Sequence, residues 1–136
     1  MSRGTLPQIT DLETAEERLS DHVRLTPILE SRRLNAQLGA RLLVKMECLQ
    51  RTGSFKFRGA FNKIAQISED RRSRGVVTFS SGNHAQGVAA AAQIYGLSAI
   101  VVMPSDAPPI KIKNTKSYGS KVVFYERIDG NRVQVA

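Results

Sequence analysis

Between Gly75 and Ser105 the chain runs for 31 residues without Asp, Glu, Lys or Arg. A segment of that kind has to be withdrawn from water, into a membrane or into a protein core. A membrane does not suit it. The uninterrupted apolar runs are only Val88 to Ala92 and Ala99 to Met103, and Gln86, Gln93, Ser98 and the breaker Gly96 flank or separate them, so a spanning helix would carry several costly polar groups. Short elements buried in protein fit better. Val76 to Phe79 reads as a mostly apolar strand, Ser80 to Asn83 as a turn, Ala85 to Tyr95 as a helix of small residues closed by Gly96, and Ala99 to Met103 as a second strand. Strand, helix and strand in that order imply parallel pairing and an α/β protein. The Ala and Gly content of the helix would let it lie close on the sheet.

The flanking segments extend this pattern. Thr10-Asp11-Leu12-Glu13 has the capping-box form, and Leu12, Ala15, Leu19 and Val23 follow at helical spacing. Thr26-Pro27 imposes an extended stretch, after which Ser31 can cap a short helix carrying Leu34 and Leu38 that stops at Gly39. Leu42, Leu43, Val44 and Met46 read as a strand, and Gln50 to Gly53 as a loop. Ser54 is a candidate N-cap for a helix bearing Phe57, Ala60, Phe61, Ile64 and Ala65. Ile110 to Tyr118 is predicted as a short basic helix ended by Gly119, and Val122 to Tyr125 as a further strand. Ile128 to Ala136 shows no closing element, so the last α/β unit reads as cut short. No internal repeat or low-complexity tract occurs.

Composition narrows the function classes only partly. A chain of 136 residues, 41% hydrophobic and 24% charged, is expected to form about one globular domain with a real core. The 20 Lys and Arg against 12 Asp and Glu give a net charge of +8, which permits phosphates, anionic membranes or small acidic ligands without choosing among them. Cys48, the single cysteine, cannot make an intrachain disulfide, which fits a reducing cytosol, and it reads as a small buried apolar residue. No apolar core follows the charge in MSRGTLPQITD, so no secretory signal is expected and the cytoplasm is the default. G-x-G-x-x-G, G-x-x-x-x-G-K-[ST], H-E-x-x-H and G-x-S-x-G are all absent. With only His22 and His84, no histidine metal cluster is expected, and His22 reads as a surface residue without a role.

Two segments are left to carry chemistry, and both sit in turns leading into helices. The first is Gly53-Ser54-Phe55-Lys56-Phe57-Arg58-Gly59. With Ser54 as the cap, Lys56 falls in the first turn, where the positive end of the helix dipole disfavours an ammonium. An uncharged lysine amine is a nucleophile towards an aldehyde, the requirement for a Schiff base with a carbonyl cofactor. A solvated surface lysine, with Phe55 and Phe57 in the core, is the plain alternative. The second is Ser80-Ser81-Gly82-Asn83-His84-Ala85-Gln86-Gly87, directly after a strand. Such a turn offers backbone N–H groups, two hydroxyls and an amide to one anion, and a carboxylate would fit there. Here the alternative is that Ser and Asn merely cap the helix.

Together and in this order, Gly53-Ser54-Phe55-Lys56-Phe57-Arg58-Gly59-Ala60 and Ser80-Ser81-Gly82-Asn83-His84-Ala85-Gln86-Gly87 closely resemble the pyridoxal-phosphate enzymes of the threonine dehydratase and serine racemase family. Leu25-Thr26-Pro27, the strand Leu42 to Glu47, Val102-Met103-Pro104 with Ala107-Pro108, and Tyr118-Gly119 with Val122-Val123 fall where that family has similar segments, so the resemblance covers roughly Thr10 to Arg127. It implies the fold-type II architecture, similar to the tryptophan synthase β chain, with open parallel sheets and helices. Residues 1–75 would be the first part of the large domain, with the cofactor lysine, and residues 76–136 a small α/β domain incomplete at its C-terminal end. The implied cofactor is pyridoxal 5'-phosphate. Lys56 would bind it as a Schiff base and later act as the base at the substrate Cα; Phe55 would pack beside it, and Asn83 would hydrogen-bond its phenolic oxygen. Ser80, Ser81, Gly82, Asn83 and His84 resemble the loop that holds the substrate carboxylate, and in the racemase branch the Ser81 position also acts as an acid/base on the opposite face.

Family members are more than twice this long, and their later half supplies a glycine-rich loop around the cofactor phosphate, a residue facing the pyridine nitrogen and a divalent-ion site. Nothing in this sequence takes those roles, and no metal ligand is assigned. The implied reaction is β-elimination from a small hydroxy-amino acid, serine, threonine or hydroxyaspartate, to a 2-oxo acid and ammonia. Racemisation is the close variant, and a non-catalytic remnant is a third reading. A nucleic-acid module built on Phe55, Phe57, Phe61, Lys56 and Arg58 fits poorly, because the apolar spacing is helical and not of period two. The expected partner is a small amino-acid substrate, with no nucleic acid and no membrane; association into a homo-oligomer is left open.

Overall fold

The computed structural model describes residues 6–128 and 132–135. In chain order the elements are α1 (Ile9–Leu19), β1 (Ile28–Glu30), α2 (Arg32–Leu38), β2 (Leu43–Lys45), α3 (Lys56–Ala65), α4 (Glu69–Arg72), β3 (Val76–Phe79), α5 (Asn83–Ile94), β4 (Ala99–Pro104), α6 (Pro109–Ser117), β5 (Lys121–Tyr125) and α7 (Arg132–Val135). Strands β3, β4 and β5 form one parallel sheet in that order, with Val77 opposite Ile100 and Ile100 opposite Lys121. Strands β1 and β2 make a separate antiparallel pair, Leu29 opposite Val44.

The charge-free segment behaves as its chemistry requires. All of Ala85 to Ala92 in α5 is buried, because the helix lies between α3 and the sheet. On α3, Phe57, Ala60, Phe61 and Ile64 recur at helical spacing and are buried together with α5. Phe61 is the hub: its ring centroid lies 5.6 Å from that of Phe57, 5.3 Å from Tyr95 and 4.4 Å from His22. A second cluster joins Val101 and Met103 of β4 to Ala85, Ala107, Ile112 and Val122. Gly96 and Gly119, at φ 64° and 80°, end α5 and α6 in the left-handed conformation.

Several local readings change. Helix α1 begins earlier than Thr10: the Gln8 N–H donates to Asp11 Oδ2 at 2.8 Å, so the carboxylate that closes the first turn is Asp11 and not Glu13. The extended stretch after Pro27 becomes strand β1 because β2 is present to pair with it. Helix α2 forms as read, with Ser31 Oγ accepting from the Leu34 N–H at 3.3 Å and Gly39 at φ 62°. The Gln50 to Gly53 loop is a pair of tight 3-10 turns with the preceding residues, Glu47–Leu49 and Arg51–Gly53.

Cys48 is exposed, against the expectation of burial. A single 3-10 turn has no inward apolar face. The residue that anchors this region is Gln50, whose side chain accepts from the Arg24 N–H at 2.9 Å and donates to the Arg24 carbonyl at 2.8 Å. His22 is half-buried against Phe61, not a surface residue. Ser54 does not cap α3: Phe55 holds the cap position, and the buried Ser54 Oγ has no hydrogen-bond partner. Within Ile128 to Ala136, where no element was expected, Arg132–Val135 form the short helix α7; residues 129–131 and Ala136 lie outside the described residues.

Candidate active site

The loop Ser80 to Gly82 leaves the C-terminal end of β3 and runs into α5, the end of a parallel sheet where α/β proteins bind ligands. Gly82 holds the cap position of α5, and no side chain caps the helix. Ser80 Oγ instead accepts from the Gly82 N–H at 3.3 Å. The loop residues are therefore not explained as caps, and the first-turn N–H groups of α5 are open to an anion. A cavity of about 250 Å³ lined by Phe79, Ser80, Ser81, Tyr125 and Arg127 opens at the same end of the sheet.

Lys56 is the first residue of α3 and is exposed, with Nζ 4.9 Å from the exposed Phe55 ring. Among the described residues no carboxylate lies within ion-pair distance of it. Phe57, fully buried, pins the start of α3 from below.

The two segments meet at Gly87. A Cβ on Gly87 would stand 3.1 Å from the Lys56 carbonyl carbon and oxygen and 3.2 Å from the Phe57 nitrogen. Helix α5 thus rests directly on the backbone that carries Lys56. His84, one turn earlier on α5, is half-buried, and its pKa is lowered by burial first and by the Lys56 charge second. Its imidazole is neutral at neutral pH. Replacing Lys56 by methionine is expected to raise the His84 titration midpoint while leaving it below 6.5, since burial is the larger cause. Proton NMR of the His84 ring against pH checks this, and an unmoved midpoint would mean the two groups are not neighbours.

Three further side-chain pairs join these elements. Arg58 is clamped by Glu47 through two bonds of 2.8 Å, tying the start of α3 to the turn before it. On the other flank, α6 reaches back to α5. Lys111 Nζ donates to Asn83 Oδ1 at 2.7 Å, and Asn114 Nδ2 donates to Gln86 Oε1 at 3.1 Å. Gln86 Nε2 is buried without a partner. No sequence signal marks the two α5–α6 pairs, because their members are 28 residues apart. Among the described residues there is no group of three or more His, Cys, Asp or Glu placed to hold a metal ion, and no helix is long and apolar enough to cross a membrane.

Residues 19–136 match the family model described as pyridoxal-phosphate dependent enzyme. The chain is 52% identical over 125 residues to the L-threo-3-hydroxyaspartate ammonia-lyase of a Pseudomonas species, covering 92% of this chain and 39% of that protein. To the L-threonine ammonia-lyase of Thermotoga maritima it is 49% identical over 116 residues, 85% of this chain and 29% of that one. The maize serine racemase structure superposes with a TM-score of 0.90 at 38% identity, over 96% of this chain and 40% of that one. The chain thus spans about 40% or less of the length of these relatives. On the family match over residues 19–136 and these identities, the chain belongs to the pyridoxal-phosphate dependent enzyme family.

Proposed function

We propose that this chain carries the cofactor lysine and the substrate-carboxylate loop of an ammonia-lyase that converts a small hydroxy-amino acid, serine, threonine or hydroxyaspartate, to a 2-oxo acid and ammonia. The observation that supports the reading is the seat of Gly87 on the Lys56 backbone, together with a Lys56 amine that has no acidic partner among the described residues and an α5 start that no side chain caps. Residues 1–75 are read as the first part of a large domain and 76–136 as a small α/β domain.

The donor set fits the proposed cofactor at its aldehyde end. Lys56 offers an amine with no acidic partner, Asn83 offers an amide whose oxygen is already engaged, and the exposed Phe55 ring offers an apolar surface. When bound, pyridoxal 5'-phosphate supplies an electron-poor ring that takes up the electron pair released at Cα. Everything else falls to the chain. Ser80, Ser81, Gly82 and His84, with the open N–H groups of α5, hold the substrate carboxylate and fix which Cα bond stands ready to break. The Lys56 amine takes the Cα proton, the β-hydroxyl leaves as water, and the dehydrated amino acid hydrolyses to the 2-oxo acid and ammonia.

Racemisation begins with the same proton removal, and Ser81 on the opposite face would return the proton for it; the likeness to serine racemase keeps this as the second reading. The experiment is borohydride reduction of the chain in excess pyridoxal 5'-phosphate, followed by peptide mapping. The expected result is a pyridoxyl group on Lys56, absent in Lys56→Met. A label on Lys45 or Lys63 in place of Lys56 would overturn the assignment.

A further inference from the structure

We propose that Lys111 is a positioning residue that fixes the polarity of the Asn83 side-chain amide, so that its NH2 group is the donor presented to the anionic oxygen of the cofactor. This rests on the reading above, in which Asn83 serves the phenolic oxygen.

An ammonium has three donors and no acceptor, so the atom of Asn83 that meets Lys111 Nζ at 2.7 Å has to be the amide oxygen. A flipped amide would set two donors against each other. With Oδ1 held, both hydrogens of Nδ2 face away from Lys111. The neighbouring bridge gives the contrast. Asn114 and Gln86 pair amide to amide at 3.1 Å, and turning both over leaves an N–H···O bond between them, so that pair sets no polarity. A lysine at 111 sets it, and an asparagine at 114 does not.

The bond also carries charge. It is charge-assisted, and such bonds are shorter and stronger than neutral ones. The positive charge sits one side chain behind the donor, so an anion held by Nδ2 feels both the hydrogen bond and the ammonium behind it. Lys111 is in the first turn of α6, where the dipole disfavours a cation, and no carboxylate pairs with it among the described residues. Its place is not accounted for by stabilising its own helix. The other titratable groups beside the loop are Lys56 and His84, and Tyr125 and Arg127, which line the cavity against Ser80 and Ser81.

The test compares Lys111→Met and Lys111→Arg with the natural chain in two states. Without cofactor, the Asn83 side-chain NH2 resonances in a nitrogen-15 spectrum should move in Lys111→Met and stay near their natural positions in Lys111→Arg, which keeps a donor-only cation. With pyridoxal 5'-phosphate bound at Lys56, the visible absorbance should titrate at a higher pH in Lys111→Met by about half a unit or more, because the phenolic oxygen loses an oriented donor and a nearby positive charge. Lys111→Arg should restore the natural midpoint. Unmoved Asn83 resonances in Lys111→Met, or equal titration midpoints in all three proteins, would overturn the proposal. A natural chain that takes up no cofactor at Lys56 would overturn the functional reading and the cofactor role together, and the cofactor-free spectrum distinguishes that failure from a failure of the Lys111–Asn83 contact itself.

Discussion

Replacing Gly87 by valine is expected to destabilise the protein by about 3 kcal/mol and to separate the lysine from the carboxylate loop. The Cβ alone would come to 3.1 Å from the carbonyl carbon and oxygen of Lys56 and 3.2 Å from the Phe57 nitrogen. All three are backbone atoms of a helix whose inner face is locked by Phe57 and Phe61, both with 0% exposure. They cannot swing aside as a flexible side chain would. Valine adds two methyl groups in a nearly fixed rotamer, so the helices have to move apart. Alanine should be milder, since a shift of a few tenths of an ångström accommodates it. Urea unfolding read by circular dichroism, with the His84 resonance as a local probe, checks this. A valine variant with an unchanged midpoint would show that α5 does not rest on Lys56.

Glu47→Ala is the second large effect, at about 2–3 kcal/mol, and it comes with a pH signature. Glu47 accepts two bonds from Arg58 at 2.8 Å and one from the Thr26 hydroxyl at 2.7 Å, and its side chain is 18% exposed. Arg58 lies in the first turn of α3, where a cation is unfavourable, so removing the carboxylate leaves a partly buried guanidinium against the helix dipole. Hydrogen bonding by Arg58 is the largest cause holding the Glu47 pKa down to about 2 from 4.5, with burial opposing it. A lowered carboxylate pKa means the folded state binds the proton less readily than the unfolded chain. The contribution is therefore fully present above 4.5 and is lost as pH falls towards 2. Its size over that range is about 3 kcal/mol at most. Stability of the natural chain should drop across this window more steeply than that of Glu47→Gln; parallel pH profiles would mean the pair contributes nothing.

Much of the fold was legible because local chemistry wrote it. The charge-free run from Gly75 had to be buried, and its strand, helix and strand formed one parallel sheet. Ser31 and Gly39 bracketed α2 as short-range hydrogen bonding and left-handed glycine geometry require. The Phe57, Ala60, Phe61, Ile64 spacing put α3 against α5. The site was legible in a different way: neither turn was decisive alone, and it was their pairing that carried the resemblance to the family.

What sequence position could not set is anything decided by partners far along the chain. Ser54 looked like a cap and is buried without a partner, because the backbone of Thr52 and Gly53, at φ 63° and 70°, delivers Phe55 to the cap position. Cys48 looked buried and is exposed, since burial depends on what covers a residue and not on its own apolarity. Lys111 and Gly87 had no visible link to Asn83 and Lys56. The sequence by itself determined which residues could do the chemistry, through residue type and local spacing; the tertiary structure alone decided which of them meet, because a hydrogen bond of 2.7 Å across 28 residues and a helix seated on another helix's backbone depend on how the elements pack, which no local pattern records.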